Sequence, residues 1–340
     1  MTNNIYSNKK RVFYFDVLRA VAILCVILCH TTRIYSPYTF DTIKHAIPPL
    51  INVIGLVGVP LFFMLSGALL LNRDYDLKDF FKKRFTRILY PAIFWIIITS
   101  LLVYPFFNFD EVVKIVMGDS RYTWFVWVMI GIYLIIPVLN SFVKEYGMKG
   151  VRYFLLVWAV TIVLTTFNKF PFGELELSYF AGYIGFVVLG YYLANTRFKM
   201  SNFSQIIIGV LLFVIFTIAN MYTRYYHIHI SNSYDSIFVA LAAIGVFIMF
   251  KALSEYLENR NSRTHEKIKN GRIGYLIFLI SSCSYGMYFL NSLILKFVKM
   301  IDINSLKLLP VIFILTAILS MVVVLIISKI GFLKKFSGAS

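Results

Sequence analysis

The chain has 340 residues, of which 59% are hydrophobic and only 14% are charged, and its formal net charge is +17 at pH 7. A soluble globule of this length needs more polar surface, so the composition excludes that class and predicts a chain whose solvent is mostly lipid. The positive charge does not indicate nucleic acid binding, because the basic residues lie in short loops between apolar runs.

Apolar segments long enough to cross a bilayer recur along the whole chain. In chain order we place ten of them at 12–34, 47–71, 88–107, 124–142, 152–168, 178–195, 204–223, 235–251, 274–298 and 307–329. Most of the 33 Lys and Arg residues fall in alternate loops, on the same side as the N-terminus. This pattern predicts an all-α polytopic membrane protein with about ten transmembrane helices and both termini in the cytoplasm.

No polar segment is long enough to form a second domain. We therefore expect residues 1–340 to form a single integral-membrane domain. The first apolar run lacks the cleavage pattern of a signal peptide, so we expect it to remain as a span. Cys25, Cys29 and Cys283 lie within apolar segments, a spacing that favours small buried side chains over a disulfide framework or a metal site.

The first span carries ionisable side chains along one stripe. Arg19 and His30 are eleven residues apart, which is about three helical turns, and Asp16 and Arg33 lie one turn outside them. Ionisable groups inside a membrane usually face the bundle interior and belong to a functional route. A structural alternative remains, in which Asp16 and Arg19 form an interfacial ion pair and a neighbouring carbonyl accepts a hydrogen bond from His30.

Six segments together resemble acyltransferase family 3, the integral-membrane O-acyltransferases that modify bacterial cell-surface glycans. They are, in order, FDVLRAVAILCVILCHTT (15–32), GVPLFFMLSGALL (58–70), KKRFTRILYP (82–91), TWFVWVMIGIYLIIPVL (123–139), YFAGYIGFVVLGYYLA (179–194) and SYGMYFLNSLIL (284–295). Each motif is weak by itself, but the ordered set covers nearly the whole chain.

The resemblance implies an enzyme of the bacterial cytoplasmic membrane. Its donor would be cytoplasmic acyl-CoA, with acetyl the usual acyl group and no permanently bound cofactor, and its acceptor a hydroxyl of a cell-surface or lipid-linked glycan. His30 matches the histidine regarded as catalytic in the family, Arg19 an essential arginine, and Arg84 and Arg87 the basic pair before the third span. Membrane lipid is the remaining expected partner, and the sequence indicates no oligomeric state.

With acyl-CoA as the donor, the spacing along the first span predicts a mechanism. The inner surface would gather a basic cluster that holds the donor's phosphates, made of Arg11, Arg19, Lys82, Lys83, Arg84 and Arg87. An orientation signal accounts equally well for Lys82 and Lys83. From Arg19 to His30 the helix rises about 16 Å, which is comparable to an extended pantetheine arm. His30 would then act as the general base for the attacking hydroxyl, with Asp16 and Arg19 on the same stripe.

Four further residues are candidates for the site. Ser66 is a candidate donor to the oxyanion or, beside a glycine, a close-packing position. Tyr122 and Trp124 would stack on a sugar or belong to an interfacial aromatic belt. Asn291 is a third candidate contact to the acceptor. The resemblance also implies that many relatives have histidines where Tyr122 and Asn291 stand, and Asn291 exchanges hydrogen bonds without carrying a proton near neutral pH.

Two other functions remain open at this stage. A transporter of a glycan or lipid-linked intermediate would also line its path with His30 and the arginines, although no inverted pair of similar halves is visible in the sequence. A scaffold of envelope assembly without catalysis is the third possibility. Consumption of acyl-CoA separates the acyltransferase from both.

Overall fold

The computed structural model describes residues 12–35, 43–103, 123–167, 182–228, 233–234, 236–260, 262–301 and 305–339. All regular secondary structure in these ranges is helical, which confirms the predicted all-α class. The elements are α1 Phe13–Thr32, α2 Ile43–Gly55, α3 Gly58–Leu70, α4 Leu77–Val103, α5 Trp124–Thr166, α6 Ile184–Asn195, α7 Asn202–Tyr225, α8 Ile237–Arg260, α9 Ser262–Asn270, α10 Arg272–Met300, a 3₁₀ turn Leu306–Leu308 and α11 Leu309–Lys329.

Within the described ranges, eight helical stretches are long and apolar enough to cross a membrane. Helices α2 and α3 together supply one of them, Ala46–Leu70. Helix α5 has 43 residues and would be about 65 Å long if straight, roughly twice the hydrocarbon thickness. It turns at Gly147, whose φ of 56° and ψ of −150° suit glycine alone, so α5 contains two of the predicted segments.

Helix α4 begins earlier than the hydrophobic pattern predicts. It starts at Leu77, eleven residues before the predicted segment 88–107, and its first turn is capped by Asp76 Oδ1, which accepts a hydrogen bond of 3.0 Å from the Asp79 N–H. The difference arises because charged side chains end an apolar window but do not end a helix. Arg84 and Arg87 therefore sit on regular helix.

Helix α1 lies inside the bundle and packs against α2, α3, α8, α10 and α11. Its ionisable side chains are consequently surrounded by other helices instead of lipid. This placement is the usual one for ionisable groups in a membrane protein.

Helices α3 and α6 approach each other backbone to backbone. A Cβ atom on Gly67 would lie 1.7 Å from the Val187 carbonyl oxygen, and one on Gly190 would lie 1.9 Å from the Met64 carbonyl oxygen. Only glycine fits at either position, as in other close crossings of membrane helices. Gly67 is thus the close-packing residue of α3, and Ser66 beside it points elsewhere.

Candidate active site

Helices α1 and α10 meet through two layers of polar side chains. In the first layer, the Ser281 hydroxyl donates to Asp16 Oδ1 at 3.0 Å and accepts from Arg19 Nη1 at 3.5 Å. Asp16 is only 7% exposed. These bonds hold the predicted pair of Asp16 and Arg19 against α10, inside the bundle.

The second layer lies eleven residues further along both helices. Here His30 Nδ1 is 2.6 Å from Asn291 Oδ1 and 3.4 Å from Ser292 Oγ. Eleven residues correspond to three turns and about 16 Å on each helix, so α1 and α10 run parallel with matching registers. Three of the four ionisable residues predicted on the α1 stripe therefore face the same neighbouring helix, and Arg33 donates instead to Tyr234.

The hydrogen bonds of Asn291 define which nitrogen of His30 carries a proton. The Asn291 amide group donates to the carbonyl oxygens of Met287 at 2.8 Å and Tyr288 at 2.6 Å, so its Oδ1 must be the acceptor facing His30. His30 Nδ1 is then the protonated donor, and Nε2 keeps its lone pair. Neutral His30 is held in the tautomer that a general base requires, with Nε2 as the basic atom.

A cavity of about 1020 Å³ lies beside the first layer. Its wall is strongly basic and includes Arg19, Arg73, Lys82, Lys83, Arg84, Arg87, Lys334 and Lys335. We call the end of the bundle that holds these residues the basic end. Asp79 is the one acidic residue among the described residues that line the cavity, so the wall carries a large excess of positive charge.

The cavity extends from the basic end toward His30. Phe125 and Tyr288 belong to its wall, and their ring centroids are 5.2 Å apart. The Tyr288 ring is in turn 6.4 Å from the His30 ring. Tyr288 therefore connects the cavity wall to His30, which is not itself among the described residues that line the cavity.

The cavity is lined by residues predicted to contact the acyl donor, which include Arg19, Ser66, Arg84 and Arg87. The Ser66 hydroxyl donates to the Phe62 carbonyl oxygen at 3.0 Å. Arg84 lies with its guanidinium 5.7 Å from the centre of the Phe80 ring, and its Nε is buried without a hydrogen-bond partner in the described part of the chain. Burial and the neighbouring Arg84 charge lower the pKa of Arg73.

A second polar cluster lies beyond His30, toward the opposite end. Trp124 stacks on Tyr234 with ring centroids 5.4 Å apart, and the Tyr234 hydroxyl accepts a hydrogen bond of 3.2 Å from Arg33. Burial raises the pKa of Tyr234 to about 12, so its phenol is neutral at physiological pH. Trp124 is therefore part of a packed aromatic group. Arg11 and Tyr122, the other two predicted site residues, lie outside the described residues.

Several site residues were not singled out from the sequence. Ser281 and Ser292 repeat the eleven-residue spacing of Arg19 and His30, which is a signal that pattern analysis could use. Lys334 and Lys335 carry no local signal beyond their charge. Among the described residues, no three His, Cys, Asp or Glu side chains are grouped as metal ligands.

Comparisons with known proteins add two findings. A family model described as "Acyltransferase domain" matches residues 12–329. A stretch of 127 residues is 30% identical to the peptidoglycan O-acetyltransferase OatA of Listeria monocytogenes serovar 1/2a, and the match covers 35% of this chain but only 18% of that relative's length. No solved structure matches the chain.

Proposed function

Because the chain belongs to the acyltransferase family whose domain matches residues 12–329, we propose that it is a membrane O-acyltransferase acting on a glycan of the cell envelope. It would take an acyl group, most simply acetyl, from acyl-CoA. The observation that carries this proposal is the basic cavity of about 1020 Å³, whose wall includes Tyr288, a ring that lies 6.4 Å from the His30 ring.

The chemistry of the cavity wall fits the donor. Guanidinium groups bind phosphate oxygens through paired hydrogen bonds, and Arg19, Arg84 and Arg87 all line the cavity. With the phosphates at the basic end, the pantetheine arm would span the roughly 16 Å that separates the two polar layers. The thioester would then reach Tyr288 at the end of the cavity, and a shift of the Tyr288 ring would bring it to His30 in the second layer.

This arrangement sets the orientation that we propose for the protein. Acyl-CoA is cytoplasmic, so the basic end would face the cytoplasm, as the positive-inside rule also favours. Dividing α5 at Gly147 and counting the apolar helix Ile184–Asn195 as a span would bring the eight long stretches to the ten predicted from the sequence. Both termini would then be cytoplasmic.

The proposed reaction is a direct transfer. The acceptor hydroxyl loses its proton to His30 Nε2 as its oxygen attacks the thioester carbonyl carbon. Ser66, in the cavity wall, would turn its hydroxyl from the Phe62 carbonyl oxygen and donate to the oxyanion that forms. The C–S bond then breaks, the CoA sulfur takes the proton from the imidazolium, and the acylated acceptor leaves.

The acceptor would arrive from the end of the bundle opposite the donor. Trp124, Tyr234 and Arg33 lie on that side of His30 and offer an aromatic surface with hydrogen-bonding groups. Asn291 is fully buried, so we assign it to holding His30 rather than to contacting the acceptor. The relative in Listeria is named for peptidoglycan, which makes an envelope glycan the acceptor class that we propose.

Transfer of label from radiolabelled acetyl-CoA to envelope glycan, with release of CoA thiol, tests the proposal in membranes that contain the protein at matched abundance. His30→Ala should abolish both signals. The matched control is His227→Asn, because His227 is exposed and asparagine tolerates its φ of 49°. Equal transfer by His30→Ala would exclude His30 as the base. Glycan crossing the membrane unmodified, without CoA release, would favour the transporter.

A further inference from the structure

Residues 330–339, which follow α11, fold back onto α4 and α10. Ser337 is fully buried, and its carbonyl oxygen accepts a hydrogen bond of 3.3 Å from Trp95 Nε1. The Phe336 ring packs between Tyr90 at 5.6 Å and Phe94 at 6.0 Å, measured between ring centroids. This segment is therefore docked on the bundle through side-chain and backbone contacts.

A pair of glycines makes the docking close. A Cβ atom on Gly286 of α10 would lie 2.3 Å from the Ser337 carbonyl oxygen, and one on Gly338 would lie 2.6 Å from the Gly286 nitrogen. Gly338 also has a φ of +78°, which disfavours any residue with a side chain. The backbone of the segment thus rests directly on the backbone of α10.

The docking brings Lys334 and Lys335 to the cavity wall that holds Arg19, Arg84 and Arg87. The Lys334 carbonyl is fixed by a hydrogen bond of 2.9 Å from the buried Ser337 hydroxyl. Basic residues that only orient a membrane protein need to lie on one side of the membrane, and their backbone does not need to dock on the bundle. The docked backbone around Lys334 and Lys335 therefore exceeds what an orientation signal requires. Lys329, which ends α11, supplies such charge without being among the described residues that line the cavity.

We propose that residues 330–339 form one wall of the donor site and that Lys334 and Lys335 bind phosphate groups of the acyl-CoA donor. The inference rests on the proposed function, because it assigns two further cations to the same donor. Each lysine offers an ammonium group that adapts to a phosphate as a point charge, and the arginines supply the planar, paired contacts. The chain segment beyond the last span would then contribute directly to substrate binding.

Binding of radiolabelled acetyl-CoA to the purified protein in lipid nanodiscs tests the inference without requiring turnover. The double substitution Lys334→Gln, Lys335→Gln should weaken binding at least about tenfold, since it removes two charged contacts to phosphate. Lys334→Arg, Lys335→Arg should retain affinity within about threefold, because the charge is preserved. Lys329→Gln is the matched control from the same region and should bind like the wild type.

Each outcome decides between the two proposals. Unchanged affinity in the glutamine double variant, with the wild type binding acetyl-CoA, would overturn the role of the lysines and leave the acyltransferase proposal intact. Equal weakening in the arginine double variant would also overturn it, since the loss would follow from disturbed packing and not from charge. A wild type that does not bind acetyl-CoA would overturn both proposals.

Discussion

His30 Nδ1 lies 2.6 Å from Oδ1 of Asn291, a residue 261 positions later in the chain. The Asn291 amide also donates to two carbonyl oxygens of its own helix, so its orientation is determined and His30 Nδ1 must be the donor. Asn291 thus fixes the tautomer of His30 and carries no titratable proton of its own near neutral pH. The basic nitrogen, Nε2, is left for the reaction that we propose.

Asn291→Leu should lower kcat for acyl transfer roughly 10- to 100-fold, because the hydrogen bond that orients His30 and stabilises the transient imidazolium is lost. The KM for acetyl-CoA should change less than about twofold, since the donor site is untouched. Steady-state kinetics in nanodiscs measures both. Asn195→Leu is the control, because the Asn195 amide donates to Tyr191 in its own helix. A wild-type kcat in Asn291→Leu would contradict the positioning role.

Ser281→Ala should destabilise the first polar layer by roughly 1 to 3 kcal/mol, because the buried Asp16 carboxylate loses the donor at 3.0 Å. Thermal unfolding in detergent should show a lower Tm. Ser320→Ala removes an equally buried hydroxyl that bonds to its own helix, and it should leave the Tm nearly unchanged. Equal Tm values for the two variants would show that the Ser281 bond contributes little.

Gly67→Ala should prevent the close approach of α3 and α6, because the added methyl group would lie 1.7 Å from a backbone oxygen. Overpacking of this kind costs about 1 to 3 kcal/mol, or more where the backbone must shift. The measurement is the yield of monodisperse protein after size-exclusion chromatography. Gly131→Ala has no atom within 4 Å of the added methyl group and should behave like the wild type. Normal yield from Gly67→Ala would contradict the observed helix crossing.

Arg84→Gln should weaken acetyl-CoA binding about tenfold, because a charged contact to phosphate is removed from the cavity wall. The same binding assay measures this effect, and raising the salt concentration should weaken the wild type more than the variant. Lys144→Gln is the control, since Lys144 pairs with Asp74 and is not among the described residues that line this cavity. If Arg84→Gln and the wild type bound acetyl-CoA with equal affinity, Arg84 would not be a ligand of the donor's phosphates.

Gly286→Ala should release the segment 330–339, because its methyl group would meet the Ser337 carbonyl oxygen at 2.3 Å. Trypsin should then cleave faster after Lys334 and Lys335, as seen by mass spectrometry, and acetyl-CoA should bind more weakly. Gly331→Ala lies in the same region with no atom within 4 Å and serves as the control. If trypsin cleaved Gly286→Ala faster while acetyl-CoA still bound with wild-type affinity, the docked segment 330–339 would not be part of the donor site.

Local patterns were sufficient for the helical class and for most spans. Helix α1 was predicted at 12–34 and found at Phe13–Thr32, and the last span was predicted at 307–329 and found as a 3₁₀ turn followed by α11. The stripe of Asp16, Arg19 and His30 also follows from spacing along a single helix. These features depend on apolar length and helical periodicity, which are properties of neighbouring residues.

Tertiary structure alone determined what the stripe faces. Ser281 and Asn291 reach α1 from across more than 260 residues, and Lys334 and Lys335 enter the cavity because two glycines allow a backbone contact with α10. Such contacts are set by how helices pack against each other, and several packings satisfy the same apolar pattern. The sequence by itself therefore determined the helical class, most of the spans and the candidate base. The packing of α10 against α1 determined which nitrogen of His30 is basic and which side chains hold the ring in place.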